Sequence, residues 1–212
     1  MDKSLLKEIA LGFAIGFSLF HVWKILPKKS QKIVKRFRDV QIAILELGGT
    51  SCKMAIGKIF ENNGTDSNSF KVEILEKSQI ETTNPEETLN KIIKFLNKHT
   101  FFQLNIGTFG PLQLNTNLPN YGSITSSPKE KWIGFNLREY FLRNLKSSLS
   151  QNLIIKMETD VNTCAIGEFR LGNHEVKNSL AYITVGTGVG IGFIVNGKPV
   201  HGLIHPEGGH VK

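Results

Sequence analysis

Two apolar, strand-like runs of this sequence break at glycine-rich tips and then resume. Gln41–Leu47 (QIAILEL) runs into Gly48-Gly49-Thr50 and continues at Lys53–Ile59, while Ala181–Val185 runs into Gly186-Thr187-Gly188-Val189-Gly190 and continues at Ile191–Val195. Each predicts a β-hairpin, and the likeness between the two predicts a pair of related lobes. Strand and helix patterns alternate between them. The polar stretch Glu61–Ser69 reads as a loop and Val72–Leu75 as a third strand. Pro85 at a first-turn position, Glu86 and Glu87 beside it, and Leu89, Ile92, Ile93 and Leu96 on one face predict a helix. Leu104–Thr108 reads as a short strand running into Gly110-Pro111, and Asn136-Leu-Arg-Glu139 as a capping box for a helix through about Leu149. Leu153–Met157 is a further strand and Val161–Leu171 a further helix. The expected class is α/β.

Charge divides the chain unevenly. The 212 residues carry +8, but nine basic and three acidic residues fall in 1–40. The remaining 172 residues hold 17 basic and 15 acidic side chains, a balance of +2, so the high overall charge is no sign of a nucleic-acid-binding body. Within 1–40, Ile9–Trp23 contains no charged side chain, and Ile25 and Leu26 extend the apolar run if Lys24 snorkels. The stretch 9–26 therefore reads as a single-pass anchor, with a surface or targeting helix and an ordinary hydrophobic helix as alternatives. No small-residue cleavage site follows it, and the basic cluster Lys28–Arg38 would keep the body in the cytoplasm. Cys52 and Cys164 are the only cysteines and neither belongs to a CxxC pair, which fits a reducing compartment.

Three groups of residues carry chemistry. Glycines at a strand turn bring backbone N–H groups close to a phosphate chain, and a threonine adds a hydroxyl; a plain hairpin tip is the alternative. The P-loop pattern is not met, because Gly192-Phe-Ile-Val-Asn-Gly197-Lys198 is followed by Pro199 where Ser or Thr is needed, and Asn196-Gly197 reads as a type I′ turn. Asp160, at the end of a predicted buried strand, could take a proton from an alcohol or simply cap the following helix. Finally His201, His205, Glu207 and His210 fall within ten residues, as a metal site or as ligands to a polar molecule.

Six segments occur in the order seen in the ROK family of sugar kinases and repressors: Glu46-Leu-Gly-Gly-Thr50, Ile106-Gly-Thr-Phe-Gly-Pro111, Tyr121–Pro128 with Trp132, Thr159-Asp-Val-Asn162 with Gly167-Glu168, Tyr182–Gly190, and His201–His210. From about Gln41 onward the chain resembles that family, and most of all its bacterial-type fructokinases. The resemblance implies an actin-like ATPase fold of two RNase-H-like lobes, with a hexose and Mg·ATP in the cleft between them. It implies an N-terminal lobe over 41–150 and the start of a C-terminal lobe over 151–212, behind a leader of 1–40. Carried over by position, Asp160 would be the base for the sugar hydroxyl. Gly48, Gly49 and Thr50, with Gly186, Thr187, Gly188 and Gly190, would hold the ATP phosphates. Gly110, Asn162 and Glu207 would line the sugar pocket, and His210 would be the first ligand of the family's Zn²⁺. A homodimer is a further implication.

The sequence departs from the family at three points. Ser51 stands where members carry Lys, leaving Lys53 as the available substitute. The Cys/His segment that completes the zinc site and the later adenosine-contacting segments are absent. The chain is thus expected to correspond to about two thirds of such a kinase, to leave an apolar face of the Ala181–Val195 strand pair uncovered, and to bind nucleotide and turn over poorly. ATP-dependent phosphorylation of D-fructose is the expected activity, and a non-catalytic, membrane-tethered sugar-binding module the alternative. A DNA-binding member is disfavoured, since a helix-turn-helix needs two amphipathic helices where this chain has one apolar run and a basic stretch.

Overall fold

The computed structural model describes residues 41–61, 70–146, 153–172, 178–186, 188–201 and 208–210. Five strands form one mixed sheet: β1 (Gln41–Leu47), β2 (Ser51–Glu61), β3 (Phe70–Glu81), β4 (Gln103–Thr108) and β5 (Ile154–Thr159), in the order β3-β2-β1-β4-β5. β1, β2 and β3 pair antiparallel, whereas β4 and β5 run parallel to β1. As the central strand, β1 is covered on both faces, which is why its sequence is almost continuously apolar.

Helix α1 (Pro85–Leu96) starts where Asn84 Oδ1 accepts the Glu87 N–H at 3.0 Å, with Pro85 in the first turn. Its buried face is Leu89, Ile92, Phe95 and Leu96, with Ile93 only partly covered. Each of Leu89, Ile92 and Leu96 is fully buried, worth about 1.5–3 kcal/mol of transfer free energy. They pack with Ala43, Leu45 and Leu47 of β1 and with Cys52, Met54 and Ile56 of β2 in one core. Helix α2 (Leu137–Asn144) adds Leu137 and Phe141 to that core. Asn136 caps it as expected, accepting from the Glu139 N–H at 2.9 Å, but it stops at Asn144, short of Leu149. There the Asn144 side-chain amide donates to the Tyr140 carbonyl and Leu145 turns extended.

β5 passes straight into helix α3 (Asp160–Leu171), which carries the chain to a second sheet of β6 (Ser179–Val185), β7 (Val189–Val195) and β8 (Lys198–Pro199). The division expected at residue 150 falls before β5, yet β5 is hydrogen-bonded to β4 in the first sheet, and the second sheet begins after α3. One face of that second sheet packs on α3 through Ala165, Ile166 and Phe169 against Leu180, Tyr182 and Ile194. The approach is close enough that a Cβ on Gly192 would stand 2.4 Å from the Val161 carbonyl oxygen. Alternation along β6 turns Ile183 and Val185 the other way, where they are 59% and 79% exposed. Asn196 and Gly197 join β7 to β8 with φ of 50° and 73°, the type I′ turn expected in place of a P-loop.

Among the described residues no helix is long and apolar enough to cross a membrane. The helix expected over 9–26 lies outside them, as do Thr187, His205 and Glu207.

Candidate active site

Parallel pairing brings three strand ends to one edge of the first sheet. Leu47 of β1 is in register with Thr108 of β4, and Thr108 with Thr159 of β5, so the chain leaves the sheet at Gly48, Phe109 and Asp160 side by side. Ligands of open α/β sheets bind outside such carboxyl ends. Here the three exits form one wall of a cavity of about 400 Å³, and the β6–β7 turn forms the other. From the first wall come Gly49, Thr50, Gly110, Asp160 and Asn162; from the second come Gly186, Gly188 and Gly190. Gly48 is not in the lining. Its N–H donates to the Ser51 carbonyl at 3.1 Å and its carbonyl accepts from Thr82 Oγ1 at 2.8 Å, closing the turn that presents Gly49 and Thr50.

The glycines differ in what they do. A Cβ on Gly186 or Gly188 would meet nothing within 4 Å, so these α-carbons border open space. One on Gly190 would stand 2.6 Å from Val161 Cγ1, so this glycine is set by the packing of β7 on α3 rather than by the cavity alone. Bare backbone facing a void from two turns suits a phosphate chain. Glu46, two residues before Gly48, does not line the cavity, but its Oε2 is buried with no hydrogen-bond partner among the described residues, an oxygen ligand of the kind Mg²⁺ takes.

Asp160 opens α3 but does not cap it. Thr159 is the N-cap, its hydroxyl accepting from the Asn162 N–H at 3.3 Å. Asp160 sits in the first turn, with Oδ1 accepting from the Val161 N–H at 2.9 Å. The capping role that spacing left open for Asp160 thus belongs to its neighbour. Burial first, then the charges of Glu46 and Asp160, push the thiol of Cys164, one turn further on, up to about 12, which keeps it protonated at neutral pH.

Next to Asp160 lies a carboxylate that sequence reasoning passed over. Glu158 is 2% exposed and accepts from the Thr159 N–H at 2.9 Å and from Asn162 Nδ2 at 3.2 Å, while its Oε2 stands 2.6 Å from His201 Nε2. His201, expected among metal or polar ligands, is therefore engaged with Glu158. No group of three His, Cys, Asp or Glu side chains able to hold a metal occurs among the described residues, and His210 ends a 3₁₀ turn, Gly208–His210. The described donors do not make a Zn²⁺ site.

The hydrogen bond to Glu158 holds the His201 imidazole above its usual pKa, against an opposing effect of burial. A folded-state value above the unfolded one means that the stabilisation is whole below about pH 6.5 and is lost as pH rises through the raised value. Proton NMR titration should place the His201 midpoint above that of a free histidine; a midpoint at or below it would show that the clasp does not form.

The expected stand-in for the family lysine is otherwise occupied, as Lys53 Nζ lies 2.8 Å from Glu46 Oε1. Another cation approaches the same turn. Lys129 Cε would be 3.9 Å from a Cβ on Gly49, with its amine 3.5 Å from the Thr82 carbonyl. No local pattern flags Lys129, because its proximity depends on a segment some 80 residues further along the chain returning to Gly49 and Thr82.

The sequence model of the ROK family matches residues 43–212. The fructokinase of Lactococcus lactis subsp. cremoris is 38% identical over 172 residues, covering 81% of this chain and 52% of that protein. The fructokinase of Streptococcus mutans is 37% identical over 169 residues, covering 79% and 51%. Among solved structures, a ROK family glucokinase from Streptomyces griseus, in complex with glucose and AMPPNP, aligns with a TM-score of 0.60 at 23% identity, over 81% of this chain and 50% of that one. The chain spans about half the length of the curated relatives it matches, less than the two thirds expected from the order of segments.

Proposed function

The chain belongs to the ROK family of actin-like kinase fold, and on that premise we propose that it serves ATP-dependent phosphorylation of a hexose, D-fructose to fructose 6-phosphate. One observation carries this reading: a single cavity is lined by Asp160 and by residues of two glycine turns, Gly49 and Thr50 on one and Gly186, Gly188 and Gly190 on the other. Transfer of a phosphoryl group to an alcohol needs that pairing, a proton acceptor at the hydroxyl and fixed donors around the phosphates. Asp160 accepts the proton as the sugar oxygen bonds to the terminal phosphorus and the bond to ADP breaks. The N–H groups of the two turns and the Thr50 hydroxyl hold the phosphate oxygens in place, a positioning that supplies much of the rate enhancement in this reaction class. Mg²⁺ bound with ATP would spread the charge of the phosphates, with Glu46 as the carboxylate that would meet it. Asn162 and Gly110, on the first wall, are assigned to the sugar. The names of the curated relatives favour fructose among hexoses.

The test is release of ADP with matching formation of sugar phosphate when the chain is given Mg·ATP and fructose, mannose or glucose. Calorimetry with fructose and with AMPPNP accompanies it. Fructose-dependent turnover is expected. Sugar binding without nucleotide binding would favour the non-catalytic reading, and binding of neither would remove the sugar assignment.

A further inference from the structure

We propose that Glu158 is a positioning residue that fixes the rotation of the Asn162 carboxamide, so that Asn162 meets a sugar hydroxyl with its carbonyl oxygen and never with its NH₂. The proposal rests on the sugar reading of the cavity and adds the polarity of one contact. Asn162 is 2% exposed and lines the cavity. Its terminal nitrogen has two neighbours, Glu158 Oε1 at 3.2 Å and the Val200 carbonyl oxygen at 3.4 Å. A carboxylate and a carbonyl can only accept, so the group between them must be the donor. Flipping the amide would place an oxygen against two oxygens and leave buried acceptors facing one another, a cost of the kind that removing a buried partner incurs. With both N–H groups consumed, the atom left for a ligand is Oδ1. It accepts, so the hydroxyl it recognises must donate.

Glu158 is built to hold this arrangement. It is held in turn by the Thr159 N–H and by His201, so its own carboxylate has little freedom. Val200, the second acceptor, immediately precedes His201, and Glu158 therefore fastens both sides of the amide at once.

The test uses the full chain, ¹⁵N-labelled, with Asn162→Asp serving to assign the Asn162 side-chain amide pair. In the wild-type protein that pair is expected to be shifted and protected from solvent exchange; a pair exchanging like a surface asparagine overturns the proposal without any other variant. Glu158→Ala is expected to release the pair and to weaken fructose binding at least tenfold, with AMPPNP affinity changed less than twofold. Glu158→Gln, which keeps an acceptor oxygen toward Asn162, is expected to restore both signals to within threefold of wild type. A folded Glu158→Ala chain that binds fructose with unchanged affinity overturns the proposal. A protected wild-type pair that Glu158→Ala releases, in a protein that binds no hexose at all, upholds the amide's orientation and overturns the sugar reading instead.

Discussion

Replacing Asp160 by asparagine is expected to lower kcat for sugar phosphorylation by about 10²–10⁴-fold while fructose affinity stays within threefold. The substitution changes charge and basicity while nearly keeping shape. Asparagine has nearly the same volume, and its Oδ1 can still accept from the Val161 N–H as Asp160 Oδ1 does at 2.9 Å, so the first turn of α3 keeps its geometry. Thr159, not Asp160, supplies the N-cap, and the helix start survives. What is lost is a negative charge in the first turn, worth about 0.3–1 kcal/mol at a helix N-terminus, and the capacity to take a proton. Only the second bears on the barrier, where 10²–10⁴-fold is about 3–5 kcal/mol. Steady-state kinetics by ADP release, paired with fructose calorimetry, separates the two quantities. A variant that retains more than a tenth of wild-type kcat would remove Asp160 from the role of base. Equal losses in kcat and in sugar affinity would make it a binding residue.

The elements read from sequence were those whose signals are local. Pro85 with Glu86 and Glu87 opens α1, Asn136 starts α2, and Asn196-Gly197 makes its turn, because helix starts and tight turns are decided within four residues. Segments decided by partners were misjudged. β3 runs from Phe70 to Glu81, well beyond Val72–Leu75, because its pairing with β2 carries polar residues such as Glu76, Lys77 and Gln79 into a ladder that composition alone would leave as loop. β5 reaches Thr159 because β4 extends alongside it. The site divides the same way. Asp160 and the glycines advertise themselves by residue type, and the cavity brings them together. Glu158 carries no such mark: a glutamate beside a more conspicuous aspartate gains its meaning from Asn162, one helical turn away, and His201, 43 residues away. Glycine, too, is ambiguous in sequence. Gly190 looks like a phosphate-turn residue of the same kind as Gly186 and Gly188, yet its missing Cβ also admits Val161 Cγ1, so packing on α3 as well as the cavity calls for glycine there.

Trp132 is the side chain whose truncation should most damage the fold around the cavity. It is 1% exposed and belongs to the main core, with ring centroids 5.5 Å from Phe109 and 6.1 Å from Phe135, both in edge-to-face contact. Phe109 is itself a wall of the cavity, so the indole backs the surface a ligand would touch. Its Nε1–H donates to the Thr83 carbonyl at 2.9 Å, tying the 3₁₀ turn Glu130–Trp132 to the residue before the cap of α1. Trp132→Ala removes the ring and the donor together, and a loss of about 3–5 kcal/mol is expected. Against a total stability of about 5–15 kcal/mol, that loss would leave the variant close to unfolded on warming. Trp132→Phe keeps most of the apolar volume and loses the donor, so its expected cost is about 1–3 kcal/mol, that of a carbonyl left without its partner. Urea unfolding of the three proteins, with slopes compared so that the unfolded states are known to be alike, gives both differences. If the two variants lost the same amount, the hydrogen bond to Thr83 would account for the whole effect and the packing on Phe109 for none of it. If Trp132→Phe matched wild type, the ring alone would hold the turn, and the link from Trp132 to the start of α1 would have no part in stability.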